Sequence, residues 1–199
     1  MTIATTAEPQ FWNWFQANED ALFHFERQQE EVFDSLSDAM SQVHADLTFE
    51  FGPVKRGKRE FVISAAGIKS AFPAVEALFA AAPHLPRWTW TKFRPGRSTV
   101  SDIEFGEVAV AGDDVRYLLA RDGDKIGILL FLPGFQPDRE SDFGQIGYLM
   151  LDEALGELAV ETQVGFIEIM SKQSEYFDRS LPLQELPAHF DKAWQAMVQ

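Results

Sequence analysis

The alternation of apolar and polar positions divides the chain into a helical beginning and two strand-rich stretches. Phe11, Trp12, Trp14 and Phe15 follow Pro9, a residue suited to a first helical turn, and predict a short helix over 9–16. Asn18 then reads as an N-cap, with Glu19 and Asp20 at the positive helix end. Leu22, Phe25, Gln29, Val32, Leu36, Ala39 and Val43 recur at alternating steps of three and four. That period predicts one long helix over 18–43 lying across a sheet. Coiled-coil pairing is the weaker reading, because Gln29 interrupts the seam and Phe33 and Met40 broaden it.

Period-two segments follow. Strands are expected over 47–51 and 59–64, then a helix over 70–82 stopped by Pro83 and Pro86, then a strand over 87–93 with Trp88 and Trp90 on one face. The grammar then repeats. A strand over 103–110 is broken at Gly106, and a hairpin joins 115–120 to 126–132. A helix over 143–155 ends at Gly156, which reads as a left-handed C-cap, and a strand spans 164–170. Strand–strand–helix–strand thus occurs twice, over 47–93 and 115–170. The polar tail over 171–199 ends in a short helix with Phe190, Ala193, Trp194 and Met197 that docks back on the body. The expected fold class is α+β: a mostly antiparallel sheet with helices packed on one face, preceded by a long N-terminal helix. We read one domain over 1–199, comprising a helical segment 1–45, halves 46–97 and 98–170, and a docking tail.

Composition adds exclusions. The 199 residues are 46% hydrophobic with eighteen Phe, enough for a core without staples. The absence of cysteine removes disulfides, thiolate metal sites and a cysteine nucleophile, and fits a cytoplasmic setting. Residues 1–8 lack the positive charge and apolar run of a signal peptide, and no apolar stretch is long enough to span a membrane.

Charge is divided unevenly. Residues 1–50 hold ten carboxylates and one base, Arg27, whereas residues 51–100 hold nine bases and two carboxylates, within a chain of net −14. A basic patch is therefore embedded in an acidic protein, and the two surfaces must pair internally or face partners. Glu26, Glu30, Asp34 and Asp38 fall every four residues along the predicted helix, a spacing at which like charges repel by about 0.2–0.5 kcal/mol per pair. They form a candidate docking face for a basic protein, the alternative being a solvated face paired in part with the 55–59 loop.

The loop from Gly52 to Arg59 has P-loop spacing as far as its lysine. Arg59 stands where a magnesium-binding hydroxyl belongs, and a strand follows instead of a helix. The loop reads as a hairpin turn with lysines keeping the sheet edge soluble. Trp88, Trp90, Lys92 and Arg94 alternate onto one strand face, a mixture that can bind single-stranded nucleic acid. The overall negative charge makes that the weaker reading beside tryptophans packed under a helix. His24, His44, His84 and His189 are scattered, and the sequence points to no metal or cofactor.

A second acidic cluster, Asp152, Glu153 and Glu157, closes the predicted helix before strand 164–170. Carboxylates oppose the macrodipole there, so they are candidates for a carboxylate-lined pocket. This segment, LDEALGE followed by ETQVGFIEI, resembles the C-terminal signature of an uncharacterised bacterial family, Domain of Unknown Function 695. The matching positions are Leu151, Asp152, Leu155, Gly156, Glu157, Thr162, Val164, Gly165 and Ile167. The resemblance covers about twenty residues and carries no catalytic assignment. It implies kinship with small acidic regulators that act by binding a ribonuclease. The sequence thus favours a non-enzymatic cytoplasmic binding or regulatory module for a basic protein. The alternative is a small-molecule-binding protein or enzyme whose catalytic residues are unknown. Homo-oligomerisation is left open.

Overall fold

The computed structural model describes residues 7–198; most of the stretch read above as lacking a leader lies outside the described residues. The chain divides into two compact units, one through Arg94 and one from Pro95, close to the expected boundary between halves. Each has its own hydrophobic core.

The first unit opens with α1 (Ala7–Ala17), α2 (Glu19–Phe23) and α3 (Gln29–Ser41). Its sheet contains β1 (Thr48–Phe51), β2 (Arg59–Ser64) and β3 (Trp88–Lys92), with α4 (Phe72–Ala80) between the last two. β1 pairs antiparallel with β2, and β2 parallel with β3. Because side chains alternate along a strand, this register gathers Phe49, Phe51, Phe61, Ile63, Trp88 and Trp90 onto one face. Buried side chains of all four helices pack against that aromatic layer. Trp12 ties α1 to α4 by donating from Nε1 to the Leu78 carbonyl at 2.9 Å. The opposite face is mostly polar: the Thr91 hydroxyl donates to Glu60 at 2.5 Å.

The long helix expected over 18–43 is broken into α2, a 3₁₀ turn (Phe25–Arg27) and α3. Asn18 does not cap: its side-chain amide donates backward to the Trp14 carbonyl. The breaks fall at His24 and at Gln28, whose φ is −149°. They turn Phe25 onto Phe51, with ring centroids 4.9 Å apart, and place Glu26 on Arg59. Arg59 is 4% exposed and lies over the rings of Phe25 and Phe23, at 4.6 and 5.5 Å. A buried guanidinium must be paired, and meeting that need outweighs the few intrahelical bonds a continuous helix would add.

Strand alternation also fails at the end of β3. Phe93 takes φ +60°, which carries its ring into the core against Phe72. Arg94 then pairs with Glu50 at 2.5 Å, on the polar face, so it does not share a face with Trp88, Trp90 and Lys92.

In the second unit the expected broken strand is a small hairpin, β4 (Ile103–Phe105) and β5 (Val108–Val110), turning at Gly106 with φ +61°. β6 (Arg116–Asp122) and β7 (Lys125–Phe131) form the predicted hairpin about Gly123 and Asp124. Next come α5 (Glu140–Leu155), α6 (Glu157–Gln163) and β8 (Val164–Met170), which pairs parallel with β7. β9 (Leu181–Pro182) completes a sheet of order β8-β7-β6-β9, and α7 (Leu186–Val198) is the predicted docking tail helix. Tyr117, Ile126, Ile128 and Leu130 meet Phe143, Ile146 and Met150 of α5 and Phe190 of α7 in one core.

Both units therefore realise the repeated strand–strand–helix–strand pattern: an antiparallel hairpin, then a helical crossover to a parallel third strand. Four of the six strand pairings among the described residues are antiparallel, and the fold is α+β. No helix among them is long and apolar enough to cross a membrane.

Candidate functional site

The opposite charges of the first hundred residues meet on both faces of the first unit's sheet, mostly along its helical layer. Arg87 pairs with Asp20 at 3.4 Å and lies 3.8 Å from the Phe23 ring centroid. Lys92 pairs with Glu76 at 2.7 Å, Arg94 with Glu50, and Arg59 with Glu26 at 2.5 Å. Trp88 Nε1 donates to Glu19 at 3.2 Å. Much of the basic block is thus committed to holding helices on the sheet.

The acidic stripe is divided by the helix break. Glu26 sits in the 3₁₀ turn and is structural. The hydrogen bond from Arg59 holds its carboxyl below the usual carboxylate range; its own backbone amide adds to this and burial opposes it. Glu30, Asp34 and Asp38 remain on α3, one turn apart, together with Glu31. All four are exposed and make no ion pair among the described residues. Buried Leu36 and Met40 on the opposite side of α3 fix this face outward.

Because Glu26 has a depressed folded-state pKa, its pairing stabilises the unit above the ordinary carboxylate pKa of about 4.3 and is lost as pH falls through the lower folded value. Glu26→Gln should therefore lower the urea midpoint by a constant amount at neutral pH, the gap closing as pH falls below the ordinary carboxylate range. A gap unchanged at acid pH would show that the carboxylate charge is not what Arg59 requires. The exposure of Glu26, 57% at its side chain, keeps the expected gap small.

The Lys55–Lys58 loop is a two-residue hairpin turn. Lys55 and Lys58 exchange both backbone hydrogen bonds, at 2.8 and 3.0 Å, while Arg56 and Gly57 take φ +52° and +77°. Two successive positive φ values are the signature of the turn that matches strand twist, and the phosphate-loop geometry is absent. Lys55, Arg56 and Lys58 are exposed and make no ion pair among the described residues.

The nucleic-acid reading loses its surface. Trp88 is buried, stacked 5.7 Å from Trp90 at an interplanar angle of 8°, and Trp90 Nε1 donates to the Pro83 carbonyl at 2.7 Å. Their faces are taken up by Phe15 and Trp12, and both bases are ion-paired.

Glu153 parts from the other two carboxylates of the second cluster. Glu153 accepts from the Ser101 amide and hydroxyl, both at 2.8 Å, and from Arg97 at 3.3 Å. It clamps residues 97–101 along the end of α5. Asp152 and Glu157 are buried, at 7% and 0% exposure. Glu157 opens α6, a helix the sequence reading missed, so its charge favours the local dipole instead of opposing it. Tyr148 donates to Glu161 at 2.7 Å. Its phenol is pushed above its ordinary pKa by burial first, then by that hydrogen bond and by the charges of Glu161, Asp152 and Glu157. Gly156 is no left-handed cap: its φ of 84° and ψ of 156° lie in an extended region that only glycine adopts readily. No group of three or more metal-ligating side chains is arranged to hold a cation among the described residues.

The sequence reading missed Glu31 as part of the α3 face. No protein-family model, curated protein or solved structure matches the chain.

Proposed function

We propose that the protein is a binding or regulatory module that engages a basic protein partner through the exposed face of α3. The observation behind this reading is a residue set: Glu30, Glu31, Asp34 and Asp38 stand exposed on one rigid helix with no ion pair among the described residues. Like charges at helical spacing repel, and a cationic partner surface relieves that repulsion while steering association. The resemblance of the 151–168 segment to a family with small acidic regulators agrees in kind.

The carboxylate-lined pocket has less behind it. Glu153 is spent on Ser101 and Arg97, and Asp152 and Glu157, though buried, come with no metal-ligating cluster among the described residues.

The test is capture from native lysate at low and high salt, with wild type beside Glu30→Lys/Asp34→Lys. The wild type should retain a stoichiometric basic protein that is released by salt. The double reversal should weaken binding by at least about tenfold while far-UV circular dichroism stays unchanged, since each opposed pair is worth about 1 kcal/mol at contact in water. Equal retention by a folded double variant would overturn the assignment.

A further inference from the structure

We infer that the Lys55–Lys58 hairpin tip is itself a docking element, and that the surface it fits is the α3 face of a second copy of this chain. The inference rests on the docking role of α3 proposed above, and takes the cationic surface that α3 engages from a second copy of this acidic chain in place of a separate basic protein.

Three observations carry it. The tip has a defined shape: the turn is closed by two backbone hydrogen bonds, and the next residue, Arg59, is buried and pinned to Glu26. Arg56 holds a left-handed conformation that disfavours side chains. Second, the tip gathers three bases that internal pairing leaves over. Arg59, Arg87, Lys92 and Arg94 each have a carboxylate partner, whereas Lys55, Arg56 and Lys58 have none among the described residues. Third, the complementary surface lies on the same unit. Residues facing each other across a hairpin stand roughly 5 Å apart, and residues one helical turn apart stand about 6 Å apart along the axis. Lys55 and Lys58 therefore match the pitch of Glu30 and Asp34.

Net charge permits the contact. The first unit carries nine bases against twelve carboxylates, a net of −3, and the remaining −11 of the chain lies in the second. At about 0.15 M salt charges are screened beyond about 8 Å, so the local patches govern association; at about 0.01 M the screening length of about 30 Å lets the whole −14 repel. An isologous pair makes the hairpin-to-helix contact twice, which closes the assembly as a dimer.

Sedimentation of the full chain at about 10 mM, 150 mM and 1 M salt tests this. The expected result is a species of twice the 22.5 kDa chain mass at the middle salt, with monomer favoured at both extremes. Lys55→Glu/Lys58→Glu and Glu30→Lys/Asp34→Lys should each weaken the dimer at least tenfold. The four substitutions combined in one chain should restore it. Lys55→Ala/Lys58→Ala gives the same direction should a reversal disturb folding. A monomer at every salt, a dimer indifferent to both reversals, or a combined variant no tighter than either reversal would overturn the inference. If the chain stays monomeric while the α3 reversal releases a different basic protein from lysate, the second-copy partner falls and the α3 reading stands. If the α3 reversal changes neither readout, both fall. A hairpin variant that instead releases a foreign acidic protein from a monomeric chain also overturns the second-copy assignment.

Discussion

Phe61→Ala should cost about 3–5 kcal/mol and unfold the first unit at a urea concentration lower by at least about 1 M. Phe61 is fully buried at the middle of the central strand. Its ring lies 5.2 Å from Phe15, 5.3 Å from Phe51, 6.1 Å from Trp90, 6.2 Å from Phe49 and 6.5 Å from Trp12. Truncation removes the ring that all five share and leaves a void between sheet and helices, which rigid neighbours refill poorly. The loss is a large fraction of the roughly 5–15 kcal/mol that holds an ordinary domain together. Four of the five tryptophans, Trp12, Trp14, Trp88 and Trp90, belong to this unit, so fluorescence reports it. Phe61→Leu, which keeps most of the volume, should lose about half as much or less. An alanine variant within about 1 kcal/mol of wild type would mean that the aromatic layer repacks freely, contrary to its close ring geometry.

Gly156→Ala and Gly156→Asn should each cost about 1–3 kcal/mol, with asparagine no better than alanine. At a left-handed helix end asparagine is the usual substitute for glycine. Here φ is 84° but ψ is 156°, a region closed to any residue with a Cβ, so asparagine's tolerance of the left-handed well does not help. The position cannot relax cheaply: Gly156 donates its amide to the Asp152 carbonyl at 2.9 Å, bridges to Pro95, and hands the chain from α5 directly into α6. Urea unfolding followed through Trp194, whose side chain packs on the core of the second unit, reads the effect. Recovery of stability by asparagine would show that the residue can reach the left-handed cap after all.

The two variants mark where the sequence was legible. The strand that carries Phe61 is legible because strand alternation is local: the expected 59–64 is β2, Arg59–Ser64, and the expected 164–170 is β8, Val164–Met170. Gly156 was recognised as a helix end, but its conformation was misjudged, because it depends on α6 starting at the next residue. The seven residues of α6 are too few for a period to emerge, and the cluster Asp152, Glu153 and Glu157 was accordingly read as the end of one helix when it spans the joint of two. The stripe from Glu26 to Asp38 failed at its first member for a similar reason. Its four-residue spacing was real in sequence, but Glu26 answers to Arg59, thirty-three positions away.

By itself, the sequence determined most of the strands, the helices that carry a clear period, and the division of charge. Side-chain alternation, the Gly- and Pro-rich hairpin loop before Arg59, and the proline stops after α4 act between neighbours and can be read in order. Tertiary structure decided which charges are free. Arg59 is buried by Phe23 and Phe25 and so claims Glu26 and breaks the long helix. Arg87, Lys92 and Arg94 are drawn onto helices and sheet, and Glu30, Asp34, Asp38 and the hairpin tip are left outward. Desolvation forces a buried ion to find a partner wherever the fold brings one, and that partner is set by distance in space, which no local pattern encodes.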